Sequence, residues 1–301
     1  MSLTARISNI SRCSLHDGPG IRTVVYFKGC GLRCQWCHNP ETLLQKREVL
    51  FTPSKCIGCG NCVQICPQHH IPAENGIWFR RDGCTACGQC TKACPTLALS
   101  LCGEDMDTDT LVAQIQKDAS YFSVSHGGVT FSGGECLLQA NAVEDLAVRC
   151  QTLDISTAVE SALFVSWESI QKVLPHIDLF FADLKLADPE KHRFYTGQDN
   201  TLILQNLHTL SHLHKNVIVR IPVIPGVNDT PQDIQGFARI LRRLGPGIRQ
   251  VELLKYNILG ASKYDAAGKT YSAFSDRPQS DEEMKALCTA LKERCGLPCT
   301  F

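Results

Sequence analysis

The sequence predicts an α/β protein: an incomplete (β/α)6 barrel interrupted by a small cysteine-rich α+β domain. Three observations predict it. Apolar, β-branched segments alternate with segments of helical spacing along most of the chain, the pattern of parallel strands joined by right-handed crossovers. The eighteen cysteines of the 301 residues are unevenly spread, with three, four and four of them in tight clusters. The two clusters of four share one spacing and lie in the same stretch. Residues 51–102 are therefore assigned to the insert, and residues 1–50 and 103–301 to the barrel.

The elements follow in order. Residues 21–28 alternate and are rich in β-branched side chains, so they form a first strand that ends at the first cysteine cluster. After the insert, residues 129–132 make a short strand running into Gly133-Gly134, and 137–150 have helical spacing. Residues 155–160 are a strand and 167–174 a helix. Residues 177–184 are almost continuously apolar, as a strand buried on both faces requires. Residues 202–214 are helical and 217–224 form the next strand. Thr230-Pro231 opens a helix with an N-cap and a proline at the first helical position. Residues 251–256 are the sixth strand, and the capping box Ser280-Asp-Glu-Glu283 starts a last helix reaching about Arg294.

In βα barrels the chemistry sits at the C-terminal ends of the strands. The notable polar residues occupy such places: the first cysteine loop, Gly133-Gly134-Glu135, Glu160-Ser161, Asp183 with Lys185, Arg220 on the fifth strand, and Tyr256-Asn257.

Thirty basic residues balance thirty acidic ones. That gives no electrostatic case for nucleic acid or a membrane surface as partner. No apolar run reaches the ~18–20 residues of a membrane helix, and the first residues lack the apolar core of a signal peptide. A cytoplasmic protein is expected. A disulfide scaffold is disfavoured, because such scaffolds are short and secreted.

The first cluster reads Cys30-Gly-Leu-Arg-Cys34-Gln-Trp-Cys37. Three thiolates hold three corners of a cubane and leave the fourth iron without a local cysteine. Electron-transfer clusters normally have four cysteine ligands, whereas an open position marks a catalytic metal. The other two clusters are Cys56-x2-Cys59-x2-Cys62-x3-Cys66-Pro67 and Cys84-x2-Cys87-x2-Cys90-x3-Cys94-Pro95, the bacterial ferredoxin run present twice. In modules with two such runs the fourth cysteine ligates the other cluster. One cluster is then expected on Cys56, Cys59, Cys62 and Cys94, and the second on Cys66, Cys84, Cys87 and Cys90. Closed clusters of this kind carry electrons, so the insert reads as a bacterial-ferredoxin-like wire to the open site. The remaining cysteines, 13, 102, 136, 150, 288, 295 and 299, read as buried or incidental thiols, with Cys295 and Cys299 a candidate pair. His69, His70, His192, His208, His212 and His214 receive no metal assignment.

The C-x3-C-x-aromatic-C loop, with Trp36 as its aromatic, resembles the radical S-adenosylmethionine (SAM) superfamily. Together with His16-Asp17-Gly18-Pro19-Gly20-Ile21-Arg22-Thr23, Cys37-His38-Asn39-Pro40-Glu41, Ser132-Gly133-Gly134-Glu135 and Asp183-Leu184-Lys185, it resembles the glycyl-radical-enzyme activating enzymes. The two-cluster insert is similar to that of the subgroup acting on eliminases and decarboxylases. The resemblance implies three [4Fe–4S] clusters and SAM on the open iron. An electron splits the sulfonium, and the 5′-deoxyadenosyl radical takes a hydrogen atom from a backbone glycine of the partner enzyme. It also implies flavodoxin or ferredoxin as electron donor. Trp36 is expected to pack on the cluster or adenine. Gly133 and Gly134 are expected to approach the SAM methionyl group, with Glu135 binding locally or capping the following helix. Asp183 is expected to help hold a monovalent cation, Lys185 to contact SAM or the partner's glycine loop, and Arg220 to meet the SAM carboxylate or a structural acid. Cys136 stands where the family usually has proline, and Glu160-Ser161 where the formate-lyase activase has an Asp-Thr cation pair. The alternative is a radical SAM enzyme acting on a small molecule or peptide, with two auxiliary clusters.

Overall fold

The computed structural model describes residues 2–66, 71–73, 76–79, 81–214 and 216–301. In chain order its strands are β1 (Thr4–Ser14), β2 (Arg22–Phe27), β3 (Glu48–Phe51), β4 (Ile71–Ala73), β5 (Gly76–Trp78), β6 (Leu99–Cys102), β7 (Glu104–Asp107), β8 (Gly128–Gly133), β9 (Ser156–Ser161), β10 (Leu179–Asp183), β11 (Val217–Val223), β12 (Ile248–Lys255) and β13 (Cys299–Thr300).

Nine strands make one sheet in the order β13-β12-β11-β10-β9-β8-β2-β1-β7. From β2 through β8, β9, β10 and β11 to β12 every neighbour is parallel and follows in sequence. The six strands expected from the sequence are these six. Two features were not foreseen. An antiparallel pair, β1 and β7, extends the sheet beside β2, and β13 adds a short parallel strand at the other edge. The 137–150 segment also divides: a 3-10 turn, Cys136–Gln139, precedes the helix Ala140–Thr152.

Crossover helices cover one face of the sheet. Val25, Phe131, Val159, Phe180, Val219 and Leu253, one from each parallel strand, join the main core with Leu146, Leu207, Phe237 and Leu291 of the helices. The opposite face carries a smaller group, Ala158, Leu179, Phe181 and Ile218. Helix starts are chemically defined. Thr230 and Ser280 each close a capping box, with Asp233 and Glu283, satisfying amide donors that an α-helix leaves free at its first turn.

The insert has its own small core. The antiparallel ladder β3–β6 packs Val49 and Leu99 with Cys62, Ala86 and Cys90. Two short helices, Asn61–Ile65 and Gln89–Ala93, start from left-handed glycines at equivalent places, Gly60 and Gly88. Among the described residues no helix is long and apolar enough to cross a membrane.

Candidate functional site

The first cysteine loop leaves β2 through Gly29 and is tied down on both sides. The amides of Gly29 and Cys30 donate to Thr42 and Leu43 carbonyls (2.7 and 3.2 Å), and those of Arg33 and Gln35 to Thr196 and Tyr195 (2.7 and 3.0 Å). The Leu32 amide points at the Cys30 sulfur at 3.4 Å. Burial pushes Cys30 up to about 11 and Cys34 up to about 12, and raises Cys37. The three sulfurs and the Lys185 ammonium feel one another electrostatically. Thiols this protected from ionisation become thiolates at neutral pH when a metal supplies the positive charge. The donor set, sulfur only and gathered in one short loop, fits an iron–sulfur cluster.

Trp36 points away from solvent, at 6% exposure, among Leu186, Ile224, Val227 and Tyr256. Its ring lies 5.9 Å from those of Tyr195 and Phe274. Tyr256 fixes that group, its hydroxyl meeting Tyr271 at 2.9 Å and accepting the Phe274 amide at 3.0 Å.

Gly133 and Gly134 have a reason inside the protein. Gly133 has φ +119°, and a Cβ there would lie 2.3 Å from the Phe27 carbonyl oxygen. A Cβ on Gly134 would lie 2.3 Å from the Gly29 carbonyl oxygen. The end of β8 thus presses against the base of the cysteine loop, where only glycine fits. Glu135 is buried behind them. It accepts from Ser161 Oγ (2.8 Å), the Ala162 amide (3.1 Å) and the Leu137 amide (3.3 Å), capping the 3-10 turn. Burial lifts its carboxyl to about 7 against the pull of those donors.

On β10 and beyond, Lys185 Nζ donates to Asp183 Oδ2 at 2.8 Å. Burial opposes the Lys185 charge, but Asp183 and the Cys34 sulfur outweigh it, and its pKa is raised. Arg220 on β11 donates to Glu160 and, at 2.7 Å, to Glu252; its third nitrogen reaches the His16 carbonyl at 3.1 Å. Its plane lies 3.6 Å over the Phe181 ring. Glu160 also accepts from Ser132 Oγ at 2.6 Å, and burial raises its pKa. Cys37, Trp36, Glu135 and Lys185 therefore gather around one loop, while Arg220 belongs to a network of its own on the inner face. Glu252 and Phe181 in that network were missed from sequence. An acid in the otherwise apolar strand Val251–Leu254 was the available signal.

In the insert, one cavity is lined by Cys56, Cys59, Cys62 and Cys94 together with Ile57, Thr96 and Leu99. Cys62 senses the charge of Cys56, Cys59 and Cys94, and Cys90 that of Cys66, Cys84 and Cys87. The fourth cysteine of each run thus sits with the first three of the other. All eighteen cysteines are free thiols, so Cys295 and Cys299 form no disulfide. Among the described residues no three or more His, Cys, Asp or Glu side chains converge as a single-ion site requires. His69 and His70 lie outside the described residues.

Comparison with known proteins defines the class. The family described as a 4Fe-4S single cluster domain matches residues 16–192. A radical SAM methyltransferase from Sphaerobacter thermophilus shares the fold, with TM-score 0.51 and 17% identity over 73% of this chain and 62% of that one. The (2S)-3-sulfopropanediol dehydratase activating enzyme of Klebsiella oxytoca is 43% identical over 88% of this chain and 86% of its own length. The indoleacetate decarboxylase activating enzyme of Tractidigestivibacter scatoligenes is 36% identical over 99% of this chain and 97% of its own. The chain belongs to the glycyl-radical-enzyme activating enzymes of the radical SAM superfamily.

Proposed function

We propose that this protein activates a partner glycyl radical enzyme, of eliminase or decarboxylase type, by removing a hydrogen atom from a backbone glycine of that partner. One observation carries the reading: a half-buried three-thiol loop, Cys30, Cys34 and Cys37, in a chain that aligns nearly end to end with activating enzymes. When bound, a [4Fe–4S] cluster and SAM supply the one-electron cleavage that frees a 5′-deoxyadenosyl radical.

The chain's own residues do the rest. Cys30, Cys34 and Cys37 would hold the cluster, and with no fourth cysteine in the loop would leave it open to SAM. Gly133 and Gly134 keep a side-chain-free wall beside the loop, and Glu135 locks that wall to Ser161 and Ala162. Trp36, held by Tyr195 and Phe274, gives the adenine an aromatic neighbour. Lys185 stays charged beside Cys34 and is the cation for the SAM carboxylate or the incoming glycine loop. Asp183 bonds Lys185 through one oxygen and is the acid for a monovalent cation. Arg220 orders Glu160 and Glu252 and acts on SAM through that order.

We read the main sheet as an incomplete (β/α)6 barrel over residues 1–50 and 103–301, which its in-sequence parallel order supports. Residues 51–102 are read as a ferredoxin-like domain with two further [4Fe–4S] clusters, which the crossed thiol grouping supports. They relay electrons from flavodoxin or ferredoxin.

The experiment is anaerobic reconstitution with iron and sulfide, then reductant and SAM. 5′-Deoxyadenosine should form, and a glycyl-radical EPR doublet should appear on a co-incubated eliminase or decarboxylase. Formation of 5′-deoxyadenosine with no doublet on the glycyl radical enzyme encoded beside it would turn the assignment toward a small-molecule substrate.

A further inference from the structure

We propose that Arg81 is a positioning residue for electron hand-off inside the chain. It fixes the thiol group of Cys66, Cys84, Cys87 and Cys90 against the helix Ala261–Ala267, and through that helix against the part of the cysteine loop that carries Cys34 and Cys37. The inference rests on the activating-enzyme reading, with clusters in the loop and in both thiol groups of the insert.

Arg81 holds the thiols with its backbone and the barrel with its side chain. Its carbonyl accepts the Cys84 amide at 3.1 Å. Its guanidinium donates to the Val49 carbonyl on β3 at 3.0 Å and to the Ala266 carbonyl at 2.6 Å, and lies 4.9 Å from the centre of the Phe79 ring. Among the described residues no carboxylate bonds this half-buried cation. Backbone carbonyls of two different domains take its donors instead.

The barrel side is shaped to receive it. Ala266 stands in the last turn of its helix, where carbonyls lack partners within the helix and a cation is favoured. Gly268 caps that end with φ +65°, and a Cβ there would collide with the Arg81 guanidinium. A left-handed cap by itself admits asparagine as well; the seat of the guanidinium admits no side chain.

The same helix is fastened to the cysteine loop. Lys263 Nζ donates to Asn39 Oδ1 at 2.7 Å, the Tyr264 hydroxyl to the Gln35 carbonyl at 3.4 Å, and Lys269 Nζ to the Pro40 carbonyl. At the start of the helix, a Cβ on Gly260 would lie 3.2 Å from His38 Cα and 3.4 Å from the Cys37 carbonyl oxygen. Burial raises the Tyr264 hydroxyl, and the nearby Cys37 and Cys34 sulfurs raise it further. The contacts run from Cys84 through Arg81, Ala266 and Tyr264 to Gln35, the neighbour of Cys34.

A second attachment separates this role from simple assembly. Lys28 Nζ donates to Glu48 at 2.8 Å and Arg47 to the Gly103 carbonyl at 3.0 Å, at the entry and exit of the insert. These contacts hold the β3–β6 ladder to the Cys30 arm of the loop without help from position 81. Loss of Arg81 therefore leaves the insert folded and attached, but lets its Cys84 end move away from the helix. Electron tunnelling weakens steeply with distance, so the hand-off slows while the loop itself is untouched. In each hand-off one insert cluster loses one electron and the loop cluster gains it. That electron breaks the sulfonium bond of one SAM and releases one methionine.

The test uses the reconstituted full chain, photoreduced with deazaflavin and mixed with SAM in the dark, with dithiothreitol as hydrogen donor to the radical. Methionine release is followed by rapid quench. The first equivalent uses the electron already in the loop, and later equivalents need electrons from the insert. In Arg81→Met the first should keep its wild-type rate and the later ones should slow by about tenfold or more, since small displacements of reacting partners are costly. Arg81→Lys, which can still bond one carbonyl, should recover part of the loss. Gly268→Ala displaces the guanidinium from the barrel side and should reproduce the loss with the insert unaltered. Lys92→Met removes an exposed charge from the same cysteine run and should change nothing. In fully reduced samples the EPR signal of the loop should saturate at lower microwave power in Arg81→Met than in wild type, because its paramagnetic neighbour is farther away. Wild-type rates for the later equivalents in Arg81→Met, at full iron content, would overturn the proposal. So would a first equivalent that slows in step with the later ones, which would make Arg81 a structural residue only. If Arg81→Met binds too little iron, Gly268→Ala decides by the same two criteria. The relay reading fails separately, if wild-type protein itself releases no methionine beyond the first equivalent.

Discussion

Arg220 lays its guanidinium 3.6 Å above the ring of Phe181, and the same side chain grips Glu160 from β9 and Glu252 from β12. The stack and the two carboxylates let a permanently charged group sit at 7% exposure on the inner face of the sheet. Three parallel strands and the His16 carbonyl are joined through this one residue.

Arg220→Met should therefore be costly. It leaves two carboxylates facing each other without a cation, and breaking such a buried pair costs ~3 kcal/mol or more. Urea unfolding followed by circular dichroism should show the midpoint falling. Adding Glu252→Gln should recover part of the loss, because one uncompensated charge is removed. A lysine at position 220 should not restore wild-type stability, since it cannot bond both acids in one plane. A variant with an unshifted midpoint would show that the network carries no structural load.

Glu135 predicts a pH dependence of the opposite kind to ordinary acid unfolding. Its carboxyl sits at about 7 in the folded chain, against ~4.3 when unfolded. The folded state holds the proton more tightly, so this group's stabilisation is full below about pH 4.3 and is lost as pH rises through 7. The loss is of order 3 kcal/mol. Glu135→Gln keeps an acceptor for the Ala162 amide and cannot ionise. Its stability should fall less between pH 5 and 8 than that of wild type in parallel urea titrations. Identical slopes would mean that Glu135 titrates elsewhere.

Much of this was legible in the sequence because the chemistry is local there. The three-thiol loop and the two repeated runs are ligand spacings within a dozen residues, and the helix caps Thr230 and Ser280 are written in four. What was not legible depends on distant partners. β7 reads Glu-Asp-Met-Asp, a polar stretch that becomes a strand because β1 offers it an edge. The helix Ala261–Ala267 is too short to stand alone and is held by Lys263 on Asn39 and Tyr264 on Gln35. The glycine pair was read as an approach to a ligand; that it also clears the way for the Gly29 carbonyl needed the packing of β8 against the cysteine loop.

That packing makes Gly134→Ala informative. The new methyl would fall 2.3 Å from the Gly29 oxygen and 2.9 Å from the Thr42 oxygen, both backbone atoms, so the loop itself must move. Because Gly29 precedes Cys30 directly, the first thiol moves with it. The substituted protein should reconstitute with less iron, by up to about one third if three clusters are bound as proposed and the loop cluster is lost whole, and should bind SAM more weakly. Iron assay and equilibrium dialysis measure the two effects. Full iron loading with unchanged SAM binding would show that the loop absorbs the methyl elsewhere.

The crossed thiols give a prediction in which sequence distance and spatial distance disagree. Cys94 is four residues from Cys90 in the chain, yet it lines a cavity with Cys56, Cys59 and Cys62. Exchanging a thiolate for serine oxygen alters the spectrum and potential of the cluster that loses the ligand. Cys94→Ser should therefore reproduce the EPR change of Cys62→Ser, and Cys66→Ser that of Cys90→Ser. Grouping by sequence run would give the reverse pairing, Cys94 with Cys90 and Cys66 with Cys62. Reduced samples of the four single variants, compared by EPR at low temperature, decide between the two. With two clusters bound as proposed, the crossing would also tie the two runs into one folding unit, because neither cluster would be complete until both runs were in place. Any one of the four substitutions should then lower the thermal stability of the whole insert, including the half whose ligands are intact.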